Sequence, residues 1–269
     1  MLFETDRPAF HFHPGYRPLL ISMPHVGTYV PPRLRARLTD AAQQVPDTDW
    51  HLEALYGFAQ ALGASVLVAT HSRYVIDLNR PADNANLYPG QDTTGLCPID
   101  TFDKQALYRS PDDLPGPAEI AARCEALWQP YHQQLQQSLQ ALRTRFGRVA
   151  LWDAHSIRSQ VPRFFQGRLP DLNLGTADGK SCDPRLADTL LALARASGMS
   201  AVLNGRFKGG YITRQYGQPE QGIHAVQLEM AQITYMDETP PYRFCTERAA
   251  QVQPCLQVLL RAALDHVQG

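Results

Sequence analysis

Short apolar runs alternate with longer amphipathic stretches along this chain, and that alternation restricts its fold more than any other feature. Four runs have the length and composition of buried strands: Pro18 to Met23 (PLLISM), Ser65 to Ala69 (SVLVA), Val149 to Trp152 (VALW) and Ala225 to Glu229 (AVQLE). Tyr74 to Leu78 (YVIDL) and Ser200 to Asn204 (SAVLN) are two further strand segments. Helices are expected over Thr48 to Leu62, Ala118 to Phe146, Pro184 to Ser197 and Glu247 to Val267. In the second, Ile120, Cys124, Leu127 and Trp128 form one apolar face, and Pro130 is expected to kink the helix or split it. Strands alternating with helices imply an α/β fold: a mostly parallel or mixed central sheet with helices on both faces. With 269 residues, 44% of them hydrophobic, the chain can fill one large core. No internal repeat or low-complexity tract divides it, so one domain over residues 1–269 is expected.

Composition narrows the partners. Lys and Arg total 25 against 26 Asp and Glu, a formal net charge of -1, which lacks the basic footprint of a nucleic-acid binder. The five cysteines are widely spaced, with no C-x-x-C, which points to a reducing compartment rather than a disulfide framework. The first residues, MLFETDRPAFHFHPG, do not read as a secretory leader, and no run reaches the length of a membrane span. The cytoplasm is the expected location and a small molecule the expected partner, with no nucleic acid and no membrane.

In open α/β sheets ligands bind at the carboxyl ends of strands, so chemistry should follow the apolar runs. Pro24-His25-Val26-Gly27 follows the first, Asp153-Ala154-His155-Ser156 follows VALW, and Glu229 ends AVQLE. Two histidines and carboxylates at separate strand ends are the donor types of a catalytic zinc with an open position. A further ligand is expected from Asp47-Thr48-Asp49-Trp50-His51. A histidine after a strand also serves as a cap or a packing residue, so spacing alone leaves both readings open.

Arginines form a second theme. Arg73, Arg80, Arg206 and Arg214 lie near expected strand ends or in a Gly-rich stretch, and guanidinium groups bind carboxylates in bidentate fashion. Each could equally pair with a structural acid such as Asp77. The stretch from Asn204 to Gly217 holds glycines, cations and tyrosines between two expected strands, a composition suited to holding a substrate. No G-x-S-x-G elbow or phosphate loop is present, and Cys182 reads as a small inert thiol rather than a nucleophile.

Six strings taken together, SMPHVG (22–27), DTDWH (47–51), DLNRP (77–81), DAHS (153–156), GGYITR (209–214) and HAVQLEM (224–230), resemble the N-formylglutamate amidohydrolase family. The resemblance runs in order from about Pro18 to Glu238. It implies hydrolysis of N-formyl-L-glutamate to L-glutamate and formate in histidine degradation. It also implies a zinc-exopeptidase-like architecture, similar to that of zinc carboxypeptidases and aspartoacylases, and one divalent metal ion, Zn2+ by preference. Mapped by motif, His25 and His155 are metal ligands and Glu229 is the general base. The carboxypeptidase pattern has a Glu three residues after the first His, where this chain has Thr28. Asp49 is the expected substitute, with His51 and then Asp47 as rivals. Asn79 and Arg80 resemble the Asn-Arg pair that binds substrate carboxylate, and Arg214, Tyr211 and Arg73 are further expected contacts of a dicarboxylate substrate. The alternatives are an N-acyl amino acid amidohydrolase or carboxypeptidase of different acyl specificity, and a metal-free dicarboxylate-binding protein.

Overall fold

A computed structural model describes residues 3–87 and 90–269. Its centre is one mixed seven-stranded sheet: β1 (Phe10–His13), β2 (Leu19–Met23), β3 (Ser65–Ala69), β4 (Val149–Ile157), β5 (Leu172–Gly175), β6 (Ala201–Leu203) and β7 (Ile223–Ala231). The order is β1-β3-β2-β4-β7-β5-β6. The pairs β3–β2, β2–β4, β4–β7 and β5–β6 are parallel, while β1–β3 and β5–β7 are antiparallel. The expected mixed α/β sheet is therefore present.

Alternation along the strands distributes side chains between two cores. On one face Ile21, Trp152, Ala154, Val226 and Leu228 pack with Leu186 and Leu190 of a helix at Pro184–Ala196 and with Leu256 and Leu260 of one at Thr246–Gln268. On the other, Leu20, Leu67, Val149, Leu151 and Ala225 meet Tyr131, Leu135 and Leu139 of the helix Gln129–Phe146. Helices thus cover both faces. In chain order the α-helices are α1 (Pro32–Arg35), α2 (Asp40–Gln43), α3 (Leu52–Leu55), α4 (Pro117–Arg123), α5 (Gln129–Phe146), α6 (Pro184–Ala196), α7 (Tyr211–Tyr216) and α8 (Thr246–Gln268).

Several expectations need correction. The helix expected over Thr48 to Leu62 is only the single turn α3 followed by hydrogen-bonded turns, and His51 ahead of it has a left-handed backbone, φ 62°. Tyr74 to Leu78 is no strand: it is a turn-rich segment buried in the second core. Its apolar residues are covered by neighbouring side chains rather than paired in the sheet, a distinction that periodicity cannot make. The long expected helix runs through Pro130 without splitting, because a π-helical turn at Cys124–Trp128 joins α4 to α5 just before the proline. The stretch expected to be a loop between strands contains α7.

Strands β4 and β7 also run past the apolar segments that announce them. Their odd-numbered positions carry Val149 and Leu151, then Asp153 and His155, on β4, and Ile223 and Ala225, then Gln227 and Glu229, on β7. One face of each strand thus changes from apolar to polar at its midpoint. The opposite face, through Ala154, Leu228 and Met230, stays in the core. Asp153 and His155, expected after the VALW run, lie within β4, while Glu229 lies in its strand and His25 follows β2, both as expected. No helix among the described residues is long and apolar enough to cross a membrane.

Candidate metal centre

His25 follows β2 in a turn that Gly27 makes feasible: a Cβ at Gly27 would overlap the carbonyl of His71 beyond the end of β3. The same loop receives the chain ahead of α3, because the backbone N–H of Asp49 donates to the carbonyl of His25 at 3.1 Å. His155 comes from within β4. One ligand atom from each of His25, Asp49 and His155 can be chosen so that all lie within 4.8 Å of one another, and all three residues are buried. Among the described residues this is the one such His/Cys/Asp/Glu group.

The rivals for the carboxylate position point elsewhere. Asp47 accepts from the Tyr74 hydroxyl at 2.5 Å and the Phe102 N–H at 2.8 Å, while Nε2 of His51 lies 2.6 Å from the carbonyl of Tyr242.

Both histidine rings are oriented alike. Nδ1 of His155 and Nδ1 of His25 lie 3.1 and 3.7 Å from Oδ2 of Asp49. Their Nε2 atoms face carboxylates, Asp77 Oδ1 at 2.6 Å from His25 and Asp153 Oδ2 at 3.0 Å from His155. A carboxylate behind a ring nitrogen holds the proton there and leaves the other lone pair free to coordinate. With both protons on Nε2, two imidazole lone pairs and a carboxylate would converge, an arrangement that a cation would resolve; a proton on Nδ1 of His155 would bond Asp49 instead. The donor set fits a divalent ion of the Zn, Co or Mn type.

Charge pairing holds two carboxylates of the centre ionised. Burial raises the Asp49 carboxyl, but hydrogen bonds to His155 and His25 outweigh it and keep it ionised far below the usual range. For Asp77, burial is likewise outweighed by His25 and by Arg73, whose guanidinium lies 2.6 Å from Oδ2. Glu229 differs. Burial pushes its carboxyl up to about 8, with His155 offsetting part of the effect and Asp49 adding to it. Its Oε2 accepts from Nε2 of Gln227 at 3.3 Å, and it is the register partner of His155.

A pocket opens onto this centre. Glu229, His25, His155, Arg73, Asn79 and Arg80 line it, as do Arg206, Gln227 and the rings of Phe102, Phe164 and Phe207. Arg206 donates to the carbonyl of Phe164 at 2.6 Å and lies over the rings of Phe164 and Phe207. Asn79 packs against Gly210, where any Cβ would overlap its amide; its Oδ1 accepts from the N–H of Ile212 at 2.8 Å. Of the residues singled out in the sequence, His25, His155, Glu229, Asn79, Arg80 and Arg73 share the pocket wall, and Asp49 joins them through the two histidines. Arg214 and Tyr211 lie on α7 and are not part of that wall; Arg214 donates to the Gly209 carbonyl at 2.8 Å. Cys182 is buried with its thiol pushed up to about 12 by burial, which suits an inert core residue.

The carboxylates behind the ligands were not singled out for that role. Asp153 had a signal, since a carboxylate two residues before a histidine on one strand shares its face. Asp77 had none, because its pairing with His25 spans 52 residues.

The family model for N-formylglutamate amidohydrolase matches residues 17–236. N-formylglutamate deformylases of Pseudomonas putida and Pseudomonas aeruginosa are each 52% identical to this chain over 254 residues, covering 94% of it and 94% and 95% of their own lengths. The crystal structure of an N-formylglutamate amidohydrolase from Ralstonia eutropha superposes with a TM-score of 0.83 at 26% identity, covering 97% of this chain and 99% of that one. On these matches the chain belongs to the N-formylglutamate amidohydrolase family.

Proposed function

We propose that the chain hydrolyses the formyl amide of N-formyl-L-glutamate to formate and L-glutamate, with one divalent metal ion, zinc by preference, held by His25, Asp49 and His155. The observation that carries this reading is the convergence of those three donors at the base of a pocket that also presents Glu229 and three arginines. When bound, the ion would make water acidic near neutral pH and polarise the formyl carbonyl.

The protein groups divide the remaining work. Glu229 takes a proton from the attacking water as oxygen bonds to the formyl carbon. It returns that proton to the amide nitrogen as the C–N bond breaks, so glutamate leaves as an amine rather than as an amide anion. A carboxyl raised by burial toward neutrality is suited to both transfers. Asp77 and Asp153 hold the ligand rings in place. Arg80 and Arg206, on the pocket wall, receive the two substrate carboxylates, with Asn79 beside Arg80. Arg73 is committed to Asp77 and steadies the centre electrostatically. Arg214 supports the glycine turn against which Asn79 packs, and the backbone N–H of Tyr211 donates to the Asn79 carbonyl.

The test is release of the free amino acid from a panel of N-formyl-, N-acetyl- and N-carbamoyl-L-glutamate with N-formyl-L-aspartate, with formate measured for the two formyl compounds. Preference for N-formyl-L-glutamate is expected. A higher kcat/KM for another acyl group would reassign the substrate, and no turnover of any would remove the activity.

A further inference from the structure

The segment Asp77 to Arg80 carries both the carboxylate behind His25 and the Asn79–Arg80 pair, yet it belongs to no strand. Sheet pairing therefore does not fix its backbone, and other groups must. Two of them come from the same turn of one helix. The indole N–H of Trp128 donates to the carbonyl of Arg80 at 2.9 Å, and Nε2 of His132 lies 2.9 Å from the carbonyl of Leu78. These carbonyls flank Asn79. The two rings are in contact, with centroids 3.9 Å apart, and Nδ1 of His132 lies 3.0 Å from the Tyr216 hydroxyl. That hydroxyl can donate to Nδ1, which leaves Nε2–H as the donor to Leu78.

Trp128 closes the π-helical turn, in which the N–H of Gln129 reaches back to the carbonyl of Cys124. An extra residue in a helical turn changes the direction in which the following side chains project, and such turns recur at functional sites. Here the widened turn aims Trp128 and, four residues on, His132 at the same loop.

We propose that Trp128 and His132 are positioning residues for substrate recognition: they clamp the carbonyls on either side of Asn79 and so hold the Asn79–Arg80 pair in the geometry that receives a substrate carboxylate. This rests on the proposed N-formylglutamate hydrolysis for its substrate. Neither side chain lines the pocket or touches the metal donors, so their effect passes through the backbone of residues 78–80.

The experiment compares wild type with Trp128→Phe, which keeps a ring but loses the donor, on N-formylglutamate and its two mono-amides, N-formylglutamine and N-formylisoglutamine. Trp128→Phe is expected to raise KM for N-formylglutamate about tenfold, the loss of one well-placed polar contact, with kcat within about threefold and metal content unchanged. The penalty should shrink toward unity for whichever mono-amide lacks the carboxylate held by Asn79 and Arg80. His132→Gln, whose amide can reach the same carbonyl, should keep the wild-type KM, and His132→Leu should copy Trp128→Phe. Equal losses on all three substrates, or a fall in kcat at constant KM, would overturn the clamp. Wild-type protein that released no formate from N-formylglutamate would instead refute the activity. The clamp would then be decided by calorimetric affinity for L-glutamate, expected to weaken about tenfold in Trp128→Phe and His132→Leu and contradicted by no change.

Discussion

His155 and Glu229 are register partners on the adjacent parallel strands β4 and β7. A proposed ligand and a proposed proton carrier therefore project from neighbouring positions of one rigid sheet. Glu229→Gln preserves shape and leaves His25, Asp49 and His155 intact, but it cannot take a proton. It is expected to lower kcat by roughly 10²–10⁴ while purified protein keeps its metal. Stopped-time formate assays paired with elemental analysis read both quantities, and normal turnover in Glu229→Gln would remove the residue from the mechanism.

Asp77 and Asp153 contact the metal donors only through the far nitrogens of His25 and His155. Asp77→Asn and Asp153→Asn should each weaken metal affinity by roughly 10- to 100-fold without removing a ligand. Competition titration against a chelator of known affinity measures this. Unchanged affinity in both variants would mean that the carboxylates serve folding alone.

The arginines make separable predictions. Arg80→Ala and Arg206→Ala remove charged partners of the substrate and should each raise KM roughly 10- to 100-fold, the range for a hydrogen bond to a charged group. Arg214→Ala, outside the pocket wall, should do so by less. Steady-state kinetics of the three variants decide it, and a larger KM effect for Arg214 than for Arg206 would move the carboxylate anchor onto α7.

His132 supplies a pH test away from the metal donors. Burial pushes its imidazole down to about 4, so the folded protein holds it neutral. An unfolded histidine titrates near 6.5, so the unfolded state gains a proton first as pH falls, and stability from this site declines between about 6.5 and 4. At pH 4.5 the accumulated cost is about 2–3 kcal/mol relative to pH 7. Urea unfolding of wild type and His132→Gln at both pH values should show wild type losing more stability on acidification by that amount. Parallel losses would contradict a neutral buried His132.

Strands with uninterrupted apolar runs were legible: β3 matches its run to the residue, and β2 within one, whereas β5 (LNLG), equally buried, was missed because Asn173 and Gly175 break the run. The far half of β4 was not legible, because one face there carries Asp153 and His155; the β7 run was read as far as Glu229, two residues short at each end. β1 (FHFH) was missed because two of its four side chains are exposed and its apolar positions are few. The three candidate donors that converge, His25, Asp49 and His155, come from short strings singled out in the sequence. What supports them was not readable there. Asp77 behind His25, Trp128 behind Arg80 and the Phe164 ring under Arg206 are contacts between distant segments, and periodicity carries no information on those.

The central claim, a metal at His25, Asp49 and His155 required for deformylation, is tested most directly by measuring formate release from N-formyl-L-glutamate on one preparation before chelation, after it and after metal is restored, with metal content determined at each stage. About one divalent ion per chain is expected at the start, activity should vanish with the ion, and adding Zn2+ should restore both. Asp49→Asn should bind metal poorly from the outset. Full formate release by protein shown to contain no metal would contradict the account.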